Sequence, residues 1–114
     1  MAGSALPLVR GTLDVLVLKA LSWAPMHGFQ ITCWLEERSE ATLGVEDGAL
    51  YHALNRLEAR GLVTAEWGIT ENNRRARYYA LTPAGRAHLA DESERLLRYS
   101  RAVVGILTVA PRAT

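Results

Sequence analysis

Two groups of hydrogen-bonding and cationic side chains are the residues of this chain that could do chemistry. The first lies in residues 46–61, EDGALYHALNRLEARG, where one side of a helical repeat is small near its start and basic further along. Its members are Gly48, His52, Asn55, Arg56 and Ala59. The second group lies in residues 72–77 and comprises Asn72, Asn73, Arg74, Arg75 and Arg77. Amide, imidazole and guanidinium groups donate hydrogen bonds to phosphate oxygens and base edges, so both groups predict contact with double-stranded DNA.

The charge of the chain is regional. The net charge of all 114 residues is only +1, whereas residues 51–88 carry six arginines against three glutamates, a local charge of +3. This distribution disfavours a protein that coats nucleic acid indiscriminately and favours local contact. Two ordinary explanations remain open: a solvated charged hairpin would look similar, and a GC-rich genome would also favour arginine, which makes up twelve of the thirteen basic residues.

The sequence has no arrangement typical of an enzyme or a metal site. His27, His52 and His88 fall on three different predicted elements, without paired histidines at metal spacing or a phosphate-binding glycine loop. Cys33 is the only cysteine, so an internal disulfide is impossible and a reducing cytoplasm is the natural location. We therefore expect a cytoplasmic protein with no catalytic residue, no metal, no cofactor, no signal peptide and no membrane-spanning segment.

The first group is expected on a helix. The apolar residues Leu50, Ala53, Leu54 and Leu57 recur at i, i+3, i+4 and i+7, the pattern of a helix buried on one side. Asp47 or Glu46 is expected to cap its start, and Gly61 supplies a left-handed stop.

Two helices precede this one and a hairpin follows it. A helix capped by Thr12 and ended by Pro25, and a second helix over about residues 28–38, would form its platform. Alternating residues predict strands over 62–67 and 74–81, with a turn at 68–73. The order predicts a mainly α fold with a small β-hairpin, a winged helix-turn-helix.

The Thr82 hydroxyl is expected to cap a long helix that has Pro83 in its first turn and runs to about residue 108, which is more than a domain of this size can cover. Apolar residues with coiled-coil spacing lie along it: Leu89, Leu96 and Val103, with Leu97, Val104 and Leu107 beside them. They predict a homodimer interface that presents two DNA-binding surfaces to a palindromic site. The alternative is a helix folded back over its own domain. The expected organisation is a flexible arm (1–10), a winged-helix DNA-binding domain (11–82) and a dimerisation helix (83–110).

Aromatic residues suggest a second kind of site. Trp23, Trp34 and Trp67 could line a pocket for a small aromatic effector if Trp23 and Trp34 lie near the dimerisation helix, although packing in or at the edge of the core is the ordinary interpretation. Tyr78 and Tyr79 are neighbours on a strand, so one is expected in the core and the other exposed.

Several motifs, in this order and spacing, resemble the PadR family of bacterial winged-helix transcriptional regulators, over residues 11 to about 90. The helices carry Gly11-Thr12-Leu13, His27-Gly28-Phe29-Gln30-Ile31, Gly48-Ala49-Leu50-Tyr51, Leu54-Asn55-Arg56-Leu57-Glu58 and Gly61-Leu62-Val63. The wing ends in Arg77-Tyr78-Tyr79-Ala80-Leu81-Thr82-Pro83-Ala84-Gly85. The single C-terminal helix is similar to that of the family's smaller branch.

The resemblance implies a dimeric repressor of a nearby gene, joined through the C-terminal helix. It implies DNA contacts by Tyr51 and Arg56 from the third helix, and by Arg74, Arg75 and Arg77 from the wing. It also implies an effector of phenolic or flat apolar type at the dimer interface.

The sequence departs from the family pattern at two points. His52 stands where proline usually follows the tyrosine, and Glu46 and Asp47 place two carboxylates at the helix start, where phosphate would otherwise benefit from the helix dipole. The rival hypothesis is a winged-helix module that docks on other proteins and has no sequence-specific DNA binding.

Overall fold

The computed structural model describes residues 5–113, which form a winged helix with a long C-terminal helix. The helices are α1 (Arg10–Leu21), α2 (Gly28–Arg38), α3 (Asp47–Ala59) and α4 (Pro83–Leu107). The strands are β1 (Leu6–Pro7), β2 (Leu43–Gly44), β3 (Val63–Ile69) and β4 (Arg75–Leu81). β3 and β4 form the antiparallel wing, and β1 pairs with β2 in parallel. The predicted fold class is confirmed.

The core is built around α1, which packs against α2, α3, α4 and β4. A helix enclosed on several sides needs apolar residues around most of its circumference. α1 meets this requirement with six buried residues: Leu13, Val15, Val17, Leu18, Ala20 and Leu21. It is therefore the platform that sets the position of α3.

The one-sided burial predicted for α3 is confirmed. Leu50, Ala53, Leu54 and Leu57 are its buried residues, and Gly61 takes a φ of +72° just beyond its end. Glu46 occupies the N-cap position, but its side chain makes no capping hydrogen bond. Asp47 lies in the first helical turn, where its negative charge interacts favourably with the positive end of the helix dipole.

The start and end of α1 differ from the prediction. The helix begins at Arg10, with Val9 at the N-cap, so Thr12 lies inside the first turn and is not the cap. It ends at Leu21, before Pro25, where the Ser22 hydroxyl donates a hydrogen bond of 2.6 Å to the Lys19 carbonyl.

The N-terminal arm and the hairpin also differ from the prediction. Leu6–Pro7 pairs with Leu43–Gly44, so this part of the expected flexible arm is held in a strand, and residues 1–4 lie outside the described residues. β3 continues to Ile69, which pairs with Arg75, and the turn shortens to residues 70–74.

The start of α4 is fixed to the root of the wing. The Thr82 hydroxyl accepts a hydrogen bond of 2.9 Å from the Gly85 amide, as predicted for a helix cap, and donates one of 2.8 Å to the Gly61 carbonyl. A Cβ at position 85 would lie 1.9 Å from the Leu62 carbonyl oxygen, so only glycine allows this approach. None of the helices within residues 5–113 combines the length and the apolar character needed to cross a bilayer.

Candidate nucleic-acid interface

The outer face of α3 is available to a partner. Gly48 and His52 are exposed on the side opposite the buried stripe, and Asn55 is half-buried beside them. Tyr51 is 60% exposed and lies toward the wing, with its ring 5.9 Å from the His52 ring. Histidine in place of the family's proline leaves α3 continuous from Asp47 to Ala59. These side chains can therefore approach base edges in a groove.

The tip of the wing is formed by a tight turn that presents Arg74. The Thr70 amide donates to the Arg74 carbonyl at 2.8 Å, and the Asn73 amide donates to the Thr70 carbonyl at 2.9 Å. Asn73 has a φ of +59°, a left-handed conformation that asparagine tolerates better than most residues. Asn73, which the sequence places among the DNA-binding residues, thus shapes the turn with its backbone, while Arg74 is exposed.

A cleft of about 880 Å³ separates the wing from α3 and the start of α2. Tyr51 lines it from α3, Phe29 from α2, and Trp67, Arg74 and Arg75 from the wing. The two groups of residues singled out in the sequence therefore lie on one side of the molecule, with the cleft between them.

The wing is held in place beside this cleft by contacts to the loop before α2. Met26 and Tyr79 exchange backbone hydrogen bonds of 3.1 and 2.8 Å, and the His27 ring lies edge-on to the Tyr78 ring at 5.3 Å. Tyr79 is buried, as expected for one of the two neighbours, whereas Tyr78 is half-buried and not fully exposed. These contacts within the protein hold the wing beside α3.

Two of the predicted DNA-binding arginines are engaged within the protein. Arg56 makes two hydrogen bonds to the Asp14 carboxylate, at 2.6 and 3.3 Å, and Arg77 makes two to the Glu58 carboxylate, at 3.0 and 3.3 Å. The Arg77 Nε atom is buried and has no hydrogen-bond partner within residues 5–113. Paired and partly buried guanidinium groups are less available to phosphate than free ones.

The other two predicted arginines remain accessible. Within residues 5–113, neither Arg74 nor Arg75 forms an ion pair with a carboxylate, and both are exposed. The Arg75 guanidinium lies 4.5 Å from the centroid of the Trp67 ring, which is itself 62% exposed. This stacking orients the charge of Arg75 beside the cleft and leaves its N–H groups free to donate.

The predicted dimer interface divides into two parts. Leu89 is 8% exposed and belongs to the core of its own domain, and Leu96 packs partly against that core. Leu89 is therefore not available to a partner helix, because the first turns of α4 pack on α1. Val103 is half-buried, whereas Leu97, Val104 and Leu107 are exposed. The large exposed apolar side chains of this predicted interface therefore lie in the distal half of α4.

The predicted effector residues lie together. The rings of Trp23 and Trp34 are 6.3 Å apart, and the Arg38 guanidinium lies 5.3 and 5.2 Å from their centroids. Trp23 is 64% exposed and Trp34 is half-buried, so the pair forms an aromatic surface at the ends of α1 and α2.

Some exposed apolar residues of the protein were not singled out in the sequence. Phe29 is 73% exposed, although it lies on α2, the second helix of the predicted platform. Tyr99 and Ile106 on α4 are exposed as well. A large apolar residue outside its element's buried stripe is the sequence signal that could have found them.

A family model described as "Transcriptional regulator PadR-like family" matches residues 17–91. Transcriptional regulator Rv3488 of Mycobacterium tuberculosis is 39% identical over 80 residues, which are 70% of this chain and 71% of that protein. A 37.1 kDa protein of transposon TN4556 from Streptomyces fradiae is 43% identical over 87 residues, but this chain, of which they are 76%, spans only 24% of its length.

Solved structures agree with the sequence comparison. The crystal structure of a PadR family transcription regulator from Clostridium difficile superposes with a TM-score of 0.70 and 25% identity, covering 83% of this chain and 97% of that one. The predicted family is therefore confirmed, and its members are regulators, which are not enzymes. The chain belongs to the PadR-like family of winged-helix transcriptional regulators.

Proposed function

We propose that this regulator acts in the cytoplasm as a homodimer that binds a palindromic operator and represses a neighbouring gene. The observation that carries the proposal is the cleft between α3 and the wing. The cleft has a volume of about 880 Å³ and is lined by Tyr51 from α3 and by Arg74 and Arg75 from the wing. A helix placed in the major groove needs an adjacent cationic element to hold the phosphate backbone that borders the groove. The wing supplies that element in Arg74 and Arg75.

The role of each group follows from its accessibility. Tyr51, His52 and Asn55 lie on the accessible side of α3 and supply hydrogen-bonding groups for base edges, with Gly48 allowing close approach near the helix start. Arg74 and Arg75 supply sequence-independent contacts to phosphate. Arg56 and Arg77 contribute to DNA binding after exchanging their carboxylate partners for phosphate.

The distal half of α4 joins the two subunits in this proposal. Leu97, Val104 and Leu107 are exposed on a helix of 25 residues, and pairing with the same helix of a second copy would remove them from water. A two-fold dimer presents two α3 helices, and these match half-sites about one helical turn, roughly 34 Å, apart. The proposal that the protein recognises a palindromic site therefore depends on the proposal that it forms a two-fold dimer.

The test uses a duplex from the region upstream of the gene and a shuffled duplex of equal composition, with binding followed by fluorescence anisotropy. The wild-type protein should bind the upstream duplex more tightly, and Asn55→Ala should cost about 1 to 3 kcal/mol on that duplex alone. Arg74→Gln should weaken binding to both duplexes and reduce the slope of log K against log salt by about 0.9. Arg112→Gln, at an exposed residue beyond α4, is the matched control for loss of charge.

Equal affinity for the two duplexes at low salt would contradict operator recognition. Under that result the face of α3 and the wing would instead serve as a protein-docking surface.

We further propose that a flat aromatic effector binds at Trp23 and Trp34 and releases the DNA. Stacking of a planar ligand on the exposed Trp23 ring should quench tryptophan fluorescence. The measurement is a titration with hydroxycinnamates and related compounds, with Trp67→Phe as the background in which Trp23 and Trp34 are the remaining tryptophans. No change in emission across a broad panel would contradict the effector site.

A further inference from the structure

α3 has a second basic flank, on the side away from the wing. At about 100° per residue, Tyr51 and Glu58 lie on the side of α3 nearer the wing, whereas Arg56 and Arg60 lie on the side nearer α1. The concavities along this second side confirm the direction, since residues of α1 line them together with residues of α3. Arg10, the first residue of α1, lines two adjoining concavities, one with His52 and Asn55 and one with Arg56 and Arg60.

The charges on this flank do not cancel. Asp14 is the acidic residue that lines the concavity with Arg10, Arg56 and Arg60, and its carboxylate is bound by Arg56 at 2.6 Å. Glu58, an acidic residue on the other side of α3, is bound by Arg77 at 3.0 Å. Within residues 5–113, Arg10 and Arg60 form no ion pair with a carboxylate, and both are exposed. The flank therefore offers two free guanidinium groups.

The dimensions of DNA give these two groups a partner. The major groove is about 12 Å wide, and an α-helix with its side chains is about 10 to 12 Å across. A helix that enters the groove consequently fills it and has a phosphate backbone along each side. The wing can contact only one of the two strands, because it lies on one side of α3.

We propose that Arg10 and Arg60 bind phosphates of the DNA strand on the opposite side of the major groove from the wing. They form a second clamp, so that α3 is held between two cationic elements. This proposal rests on the proposed DNA-binding function and adds two contact residues that lie outside the α3 face and the wing. The phosphate contacts are independent of sequence, so they contribute to binding on any duplex.

The test is a salt titration of duplex binding from about 50 to 200 mM, a range over which phosphate contacts dominate the change in affinity. Arg10→Gln and Arg60→Gln should each reduce the slope of log K against log salt by about 0.9, and the double variant by about 1.8. Over this fourfold increase in salt, the fold-loss of affinity of each single variant should therefore be smaller than that of the wild type by a factor of roughly 3.5.

Charge-preserving variants separate phosphate contact from a structural role. Arg10→Lys and Arg60→Lys should keep the wild-type slope, because an ammonium also neutralises a phosphate. Arg112→Gln should also keep it, and all variants should have the wild-type melting temperature.

The outcomes distinguish this clamp from the general function. A double Gln variant with the wild-type slope, beside an Arg74→Gln variant with a reduced one, would overturn the second clamp and leave the proposed function intact. If the Lys variants reduced the slope as much as the Gln variants, the proposed phosphate contacts of Arg10 and Arg60 would also be overturned. If the wild-type protein bound no duplex at low salt, both proposals would fail.

Discussion

Gly85 is the residue at which one added methyl group should cost most. The Cβ of an alanine would lie 1.9 Å from the Leu62 carbonyl oxygen, 2.9 Å from its carbon and 3.0 Å from a methyl group of Leu81. Two of these three neighbours are backbone atoms at the root of the wing, so the clash cannot be relieved by rotating a side chain. α4 must move away from β3 by more than 1 Å, on the order of the gap to a normal contact.

That movement would also strain the polar contacts that begin α4. The Thr82 hydroxyl bonds both the Gly85 amide and the Gly61 carbonyl, at 2.9 and 2.8 Å. Overpacking costs typically 1 to 3 kcal/mol, and a weakened helix cap adds about 1 kcal/mol. We expect Gly85→Ala to lower the free energy of unfolding by about 3 kcal/mol, which corresponds to roughly 12 to 24 °C in melting temperature.

Gly105→Ala is the matched control, because it makes the same change in the same helix. A Cβ at Gly105 meets no atom within 4 Å, so the substitution only replaces glycine by a better helix former. It should stabilise the protein by about 0.5 to 1 kcal/mol. Both variants are melted at one protein concentration and followed by far-UV circular dichroism, since a dimer's melting temperature depends on concentration. A Gly85→Ala protein that melts within about 2 °C of wild type would refute the close approach of α4 to Leu62.

Two further predictions concern the helix surfaces. Leu97→Glu combined with Val104→Glu should convert the proposed dimer to a monomer in sedimentation velocity with helicity retained, and a double variant that still sediments as a dimer would exclude the distal half of α4 from the interface. Leu89→Glu should instead unfold the domain, because a buried charge is left unpaired. Asp14→Asn should cost only about 1 kcal/mol of stability. It should free Arg56 from its ion pair and so tighten binding to any duplex at low salt. Unchanged or weaker binding would show that the ion pair does not restrain Arg56.

The sequence was a reliable guide to most features that depend on neighbouring residues. The buried stripe of α3, the left-handed Gly61 and the cap of Thr82 on α4 are all decided within one or two turns of chain. The exact start of α1 was predicted wrongly, because Thr12 is a good capping residue in general but the chain turns into the helix three residues earlier, at Val9.

Contacts between distant residues could not be predicted in the same way. Arg56 and Asp14 are 42 positions apart, and nothing in their local pattern indicates that they meet. The division of α4 has the same cause. Leu89, Leu96 and Val103 recur every seven residues whether the helix packs on its own domain or on another copy, and only the position of α1 decides that Leu89 is buried. The extra strand pairing of β1 depends likewise on where β2 passes.

The two ends of α4 have different tasks, and its continuity connects them. Its first turns are attached to the root of the wing through Thr82 and Gly85 and to the core through Leu89, while its distal half exposes Leu97 and Val104. The helix has no break across its 25 residues, a length of about 37 Å. In the proposed dimer, the angle between the two α4 helices therefore fixes the separation of the two α3 helices. A change of a few degrees at the distal end would displace each wing by several ångströms, so any ligand that altered this angle would alter which half-site spacing the dimer fits.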